Sequence, residues 1–204
     1  MAETLGSLVD KLSIKNLRIW HLDEALEQKN VSDYAQLKAR RDLADKQRQN
    51  LVNEINDFLV SAFKGEVCIR DEKIKLYANT NVSSSESIKK LGEAVSELSI
   101  RNIKLWHCED EVRRTDLADV EIVKIKRKID TTNQERNDQM DKVDEILQIQ
   151  FHLDLIFNHV LSIFFLKIFI HLNLVIGISP IFPCSFYSVI YWLLIKKLSL
   201  KTFP

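Results

Sequence analysis

The sequence contains few residues that break or cross-link a chain. Its 204 residues include four glycines, three prolines and three cysteines. The cysteines, Cys68, Cys108 and Cys184, are odd in number and widely spaced, which argues against a disulfide framework and against a CxxC metal or redox motif. No apolar stretch near the N-terminus resembles a signal peptide. We therefore expect a reduced, cytoplasmic setting for residues 1–150.

The sequence also lacks an excess of charge of either sign. Its 29 basic and 29 acidic residues cancel. Residues 1–150 hold 25 of the basic and 28 of the acidic residues, so this part is mildly acidic. Proteins that bind nucleic acid usually present a basic surface. Because none is visible in this sequence, we predict no nucleic-acid partner.

What the chain does contain is a repeat. The segment LGSLVDKLSIKNLRIWH, residues 5–21, returns as LGEAVSELSIRNIKLWH, residues 91–107, with nine of the seventeen positions identical. A long repeat that occurs twice indicates duplication of one supersecondary unit. Apolar residues recur at helical spacing along both copies, and neither copy contains Gly or Pro after its first turn. Each copy therefore predicts a long helix.

Each repeated helix is followed by a second helix with a coiled-coil-like seam. In the first hairpin, seam positions from Tyr34 to Ala62 alternate in steps of three and four. A basic Lys64 followed by Gly65 predicts the end of that helix. In the second hairpin the seam continues from Ile122 to Ile146, and its more polar residues predict looser packing.

Together these features predict an all-α fold. The hairpins occupy residues 4–64 and 88–150, joined by a serine-containing linker at 65–87, and form a four-helix bundle with pseudo-two-fold symmetry. Ser83 and Glu86 resemble a capping box that would open the third helix.

Two matching sets of polar residues accompany the repeated helices. Because positions four apart stack on one face of a helix, each copy aligns an asparagine, a tryptophan and an acid in one column. A histidine lies about 100° away from the tryptophan on each helix. We interpret Trp20 and Trp106 as core anchors. The candidate ligand-binding residues are the polar members, the neighbouring acids and the seam arginines: Asn16, His21, Asp23, Glu24, Asn102, His107, Glu109, Asp110, Arg41, Arg48 and Arg136.

Two interpretations of these candidates stay open. In the first, both sets face a shared interior and bind an anion, because guanidinium groups pair well with phosphate or carboxylate; an acid–base pair built on histidine is a variant of it. The seam arginines would repel a metal ion, so we assign no metal ligand, and no cofactor or reaction can be identified. In the second, the asparagines and histidines satisfy each other inside the bundle, and the acids pair with seam arginines to fix the register of the hairpins.

The last 54 residues have a different composition. They hold eight of the ten Phe and all three Pro, and they lack Ala, Arg, Glu, Gln and Met. Residues 168–195 carry no formal charge apart from any on His171 and are long enough for one membrane span. The segment 151–204 is therefore either a membrane-associated helical segment or sequence from an aberrant reading frame. Both interpretations assign the function to residues 1–150.

The second copy extends to LGEAVSELSIRNIKLWHCEDEVRR. With this extension the two copies resemble an uncharacterised family of bacterial all-helical proteins, a domain of unknown function whose leucine-rich helices carry a Trp-His pair followed by acids. The resemblance implies a helical protein and no established activity. From the seams we predict a binding or assembly module whose partner is itself or another helical protein. Two alternatives stay open: an enzyme or small-ligand-binding protein that uses the candidate residues, and a small protein anchored in a membrane through 151–204.

Overall fold

The computed structural model describes residues 3–28, 33–70 and 85–176. Within the last of these ranges, side chains are described except at 158–159, 165–166 and 168–176. The chain divides into two units, with the boundary between Gln150 and Phe151.

The described residues form four helices and no strand: α1 (Leu5–Glu27), α2 (Tyr34–Phe63), α3 (Leu91–Val112) and α4 (Asp119–Ile176). The predicted all-α four-helix fold is confirmed. Two predicted helix bounds differ from it. The third helix begins at Leu91, and Ser83 of the expected capping box lies outside the described residues. The fourth helix does not end near residue 150 but continues for 58 residues in all, because the sequence offers no glycine or proline to end it before Gly177.

The ends of the first hairpin follow from local capping chemistry. The side chain of Thr4 accepts a hydrogen bond from the backbone N–H of Ser7 and opens α1. Past the end of α2, Gly65 adopts a positive φ of 73°. Its N–H donates to Ala62 and the next N–H donates to Ser61, which is the Schellman arrangement. The helix end predicted at Lys64 and Gly65 is confirmed.

The N-terminal turn of α1 approaches the backbone of α4 closely. The N–H of Gly6 donates to Asp144 Oδ1 at 2.7 Å, so a first-turn donor that lacks a partner within its own helix is satisfied. A Cβ atom on Gly6 would lie 2.3 Å from the carbonyl oxygen of Met140. The equivalent residue of the second copy, Gly92, has nothing within 4 Å of that position. The repeated glycine is therefore required by close packing in the first copy alone.

The seams of the second helices face the inside of the first unit. The buried seam residues of α4 outnumber those of α2, and they are Ile125, Ile129, Thr132, Val143 and Ile146 against Ala44, Phe58 and Ala62. The prediction that the fourth helix packs more loosely is therefore wrong. Its polar residues do not prevent burial: the Thr132 hydroxyl donates to the carbonyl of Lys128 at 2.8 Å, which satisfies it within the helix. Cys108 of α3 is 2% exposed in the same core cluster as Ile125 and Ile129, as predicted for a buried small residue.

Candidate functional site

The two repeated helices bury different faces. In α1 the column that contains Asn16 and Trp20 faces outward, and Trp20 is 64% exposed. In α3 the same column faces inward, with Asn102 3% exposed and Trp106 half-buried. The interpretation of both tryptophans as core anchors is therefore wrong for Trp20. The column of α3 is covered where it meets α1: Asn102 contacts Asp10, and the ring of Trp106 stacks on His21.

The helix faces that carry the histidines differ in the opposite sense: the face of α3 is more exposed than the face of α1. His107 is exposed, together with Ile100 and Ile103, which are 37% and 42% exposed. In α1 the matching face is half-buried, including His21. The two copies therefore bury partly different faces, although Leu8 and Ile19 are buried like their counterparts Ala94 and Leu105. The two matching sets do not share an interior, so the symmetric arrangement expected from the repeat is absent from the described residues.

One buried polar cluster links three helices. The Asn102 side-chain amide donates to Asp10 Oδ1 at 2.9 Å, and Arg136 Nε lies 3.6 Å from the same oxygen. Asp10 is 6% exposed. Asp10 was not among the predicted residues, because its counterpart in the repeat is Ser96 and comparison of the copies selects only shared residues. The cluster joins α1 to α3 and α4, and it can fix their register.

A second polar group surrounds His21. Its ring stacks on Trp106, with ring centroids 4.8 Å apart and planes 8° from parallel. Its Nδ1 is 2.8 Å from Glu24 Oε2, and the neighbouring Asp23 accepts a hydrogen bond from Arg41 Nε at 2.9 Å. That hydrogen bond, with the negative charge of Asp23, raises the pKa of Arg41 above its ordinary value. Glu24 therefore contacts His21 within α1, whereas Asp23 links α1 to Arg41 of α2.

The remaining charged candidates pair with residues of the same helix or of the turn that directly follows it. Arg48 donates to Asp45 at 2.9 Å. Glu109 and Asp110 lie 3.7 Å and 3.3 Å from the guanidinium of Arg113, close to the end of α3. Within the described ranges, no group of three or more His, Cys, Asp or Glu side chains is placed to hold a metal ion.

A groove opens beside the stacked His21 and Trp106. Its volume is about 510 Å³, and it is lined by Arg18, His21, Leu22, Arg40, Leu43, Ala44, Gln47 and Trp106. Gln47 Oε1 accepts a hydrogen bond from Lys15 at 2.7 Å. Arg18 and Arg40 make no ion pair or hydrogen bond with any described residue. Neither arginine was a candidate, because Arg18 aligns with Lys104 and not with an identical residue, and Arg40 lies outside the seam of α2.

The sequence of both helical copies matches the model of one protein family. The family described as "Protein of unknown function (DUF4254)" matches residues 1–70 and 92–157. The chain belongs to this family. The predicted resemblance to an uncharacterised helical family is thereby confirmed, and the DUF4254 match contains every candidate residue. No curated protein and no solved structure matches the chain.

Proposed function

We propose that this DUF4254 protein is a binding and assembly module that docks on a second copy of itself or on another helical protein. The docking surface is the Trp20 face, defined as Asn16, Trp20, Glu24 and Glu27 of α1, all of which are exposed. The observation that carries the proposal is the 64% exposure of Trp20 in the middle of a long helix.

The large indole of Trp20 favours a partner that covers it. An exposed Trp side chain leaves on the order of 150 Å² of largely apolar surface in water, so covering it is worth roughly 3 to 4 kcal/mol. Tryptophan is also enriched among the residues that dominate binding energy at interfaces. Asn16 and the glutamates around Trp20 supply the polar rim that such an anchor usually has.

The Trp20 face replaces the surface first expected for a partner, the second-helix seams. Buried residues Ala44, Phe58 and Ala62 turn the seam of α2 toward the inside of the bundle, where α2 contacts α1. Trp20 has no comparable cover, although its twin Trp106 contacts His21. Assembly through the Trp20 face therefore uses residues that folding leaves available.

The proposal is tested by measuring the mass of the full-length chain in mild detergent by size-exclusion chromatography with light scattering. We expect an assembly that dissociates when Trp20 is replaced by Gln, with affinity reduced at least about tenfold. Val120 is 81% exposed at the start of α4, so Val120→Gln is the matched control and should leave the assembly unchanged. A Trp20→Gln protein with the wild-type assembly mass would refute the proposal.

A second candidate function, membrane association, is supported by the part of α4 that follows Gln150. Among the described residues, α4 is the helix long and apolar enough to cross a membrane, over Asp119–Phe164, and 12% of its most apolar window is buried. Its exposed apolar residues here are Leu153, Leu155, Ile156, Phe157, Val160, Leu161, Ile163 and Phe164. They occupy most sides of the helix, a pattern typical of a segment surrounded by lipid or by protein.

A further inference from the structure

We propose that the groove beside His21 and Trp106 binds a small organic anion, namely a phosphate or carboxylate group attached to a flat apolar body. This site goes beyond the proposed assembly, and it adjoins the Trp20 face because Glu24 of that face contacts His21 of the groove. Its three walls come from α1, α2 and α3, and its volume of about 510 Å³ is within the range of small-molecule sites.

The charge of the lining selects an anion. Arg18 and Arg40 contribute two positive charges, and the lining contains no Asp or Glu. The acids nearest in the sequence are already engaged. Asp23 and Asp42 pair with Arg41, Asp45 pairs with Arg48, and Glu24 contacts His21. Arg18 and Arg40, by contrast, have no partner in the described part of the chain. Two guanidinium groups on facing helices can each make paired hydrogen bonds to one anionic group.

The rest of the lining selects a flat apolar body. Leu22, Leu43 and Ala44 form an aliphatic wall. The stacked rings of His21 and Trp106 add aromatic surface to the lining. The His21 ring also contacts Glu24 through its Nδ1 atom at 2.8 Å. A ring that carries an anionic substituent would contact both kinds of surface.

Gln47 adds a polar group with a defined orientation. Because its Oε1 accepts from Lys15, its amide N–H groups are directed elsewhere and can donate to an anion. Lys15 itself adds a third positive charge beside the groove. The polar groups with available donors are thus Arg18, Arg40 and Gln47, while inorganic phosphate alone would leave the apolar wall without a contact.

The experiment measures binding to the full-length chain by isothermal titration calorimetry with four probes. Phenyl phosphate and phenylacetate carry both features, inorganic phosphate lacks the ring, and benzyl alcohol lacks the charge. We expect at least one of the two aromatic anions to bind at least about tenfold more tightly than either incomplete probe, and which of the two binds identifies the head group. Equal affinity for inorganic phosphate or for benzyl alcohol, or no binding of either aromatic anion, would overturn the proposal.

Variants locate the binding site. Arg18→Gln and Arg40→Gln alter exposed residues, so the fold should survive, and each should weaken binding of the aromatic anion by about tenfold. Arg127 is an exposed arginine of α4 outside the groove, and Arg127→Gln is the matched control with unchanged affinity. Circular dichroism melting checks that all three variants fold. Folded Arg18→Gln and Arg40→Gln proteins that bind as tightly as the control would place the anion elsewhere and refute the groove as its site.

Discussion

Gly6 and Gly92 occupy the same position of the repeat in different surroundings. Because a Cβ at Gly6 would meet the Met140 carbonyl at 2.3 Å, Gly6→Ala must push α1 away from α4 and weaken the hydrogen bond to Asp144. We expect Gly6→Ala to lower the free energy of unfolding by roughly 2 to 3 kcal/mol. Gly92→Ala should change it by less than about 0.5 kcal/mol or raise it slightly, since Ala favours a helix. Urea denaturation followed by circular dichroism measures both; equal effects would contradict the close approach.

Asn102 and Asn16 provide a second matched pair. Asn102 is buried and donates to Asp10, so Asn102→Ala leaves a buried carboxylate without one of its partners. We expect it to lower the free energy of unfolding by roughly 1 to 3 kcal/mol. Asn16 is exposed, and Asn16→Ala should cost less than about 0.5 kcal/mol. Chemical denaturation of both proteins tests this difference, and a larger loss in Asn16→Ala would show that the assignment of the two faces is reversed.

At the scale of the helix, the N-terminus of α1 carries a pH-sensitive contact. Glu3 accepts a hydrogen bond from Lys11 at 2.6 Å and another from the Ser7 hydroxyl, and these contacts hold the pKa of Glu3 below its ordinary value. A carboxylate whose pKa is lower in the folded state stabilises the protein above its unfolded-state pKa of about 4.3, and this contribution is lost as the pH falls through the folded-state value.

Glu3→Gln should therefore melt at a lower temperature than the wild type at pH 7 and at nearly the same temperature at pH 3. The difference at pH 7 corresponds to a few tenths of a kcal/mol, because solvent screens this exposed pair. Glu54→Gln, on an exposed position of α2, is the control and should show no pH-dependent difference. Thermal melts between pH 3 and pH 7 measure the effect, and a Glu3→Gln difference that persists at pH 3 would exclude a charge-based contribution.

The helices themselves could be predicted from the sequence, but the faces that they bury could not. Hydrophobic periodicity and the glycine after Lys64 depend on local chemistry, and they located α1 and the end of α2. Which face of a repeated helix is buried depends instead on the neighbouring helix. Both copies carry apolar residues on two adjacent faces, so the pattern alone does not decide which face is buried, and the neighbouring helices do. The exposure of Trp20 and the burial of Asp10 depend on those neighbours.

At the scale of the whole molecule, duplication supplied the elements, and asymmetric packing produced different sites from them. The two equivalent columns have different surroundings. The column of α3 lies in the core with Asn102, whereas the column of α1 is exposed and forms the Trp20 face. The half-buried His21 face, with α2 beside it, borders the groove. Sequence comparison between the copies could find shared residues such as the histidines, but not Arg18 or Arg40, because a groove between non-equivalent neighbours has no signature in the repeat.

The apolar part of α4 after Gln150 gives a prediction for the full chain. Helical residues that expose apolar side chains in most directions are stabilised by lipid, with each buried large side chain worth roughly 1.5 to 3 kcal/mol. We expect the full-length protein to float with phosphatidylcholine vesicles in a density gradient. Replacing Ile156, Phe157 and Val160 together by Gln should reduce the floating fraction at least about tenfold, since the three losses add to several kcal/mol.

Val120 and Val123 are exposed on the same helix within the first unit, so their double replacement by Gln is the matched control. That control should float like the wild type, and all three proteins should show the same urea midpoint for the first unit, because these side chains lie outside its core. Flotation lost equally in both variants would mean that the first unit contributes to vesicle binding as much as the second, and would contradict an anchor confined to the residues after Gln150. A wild-type protein that stays at the bottom of the gradient would remove the physical basis for membrane association, and the apolar residues after Gln150 would then have to be covered by protein.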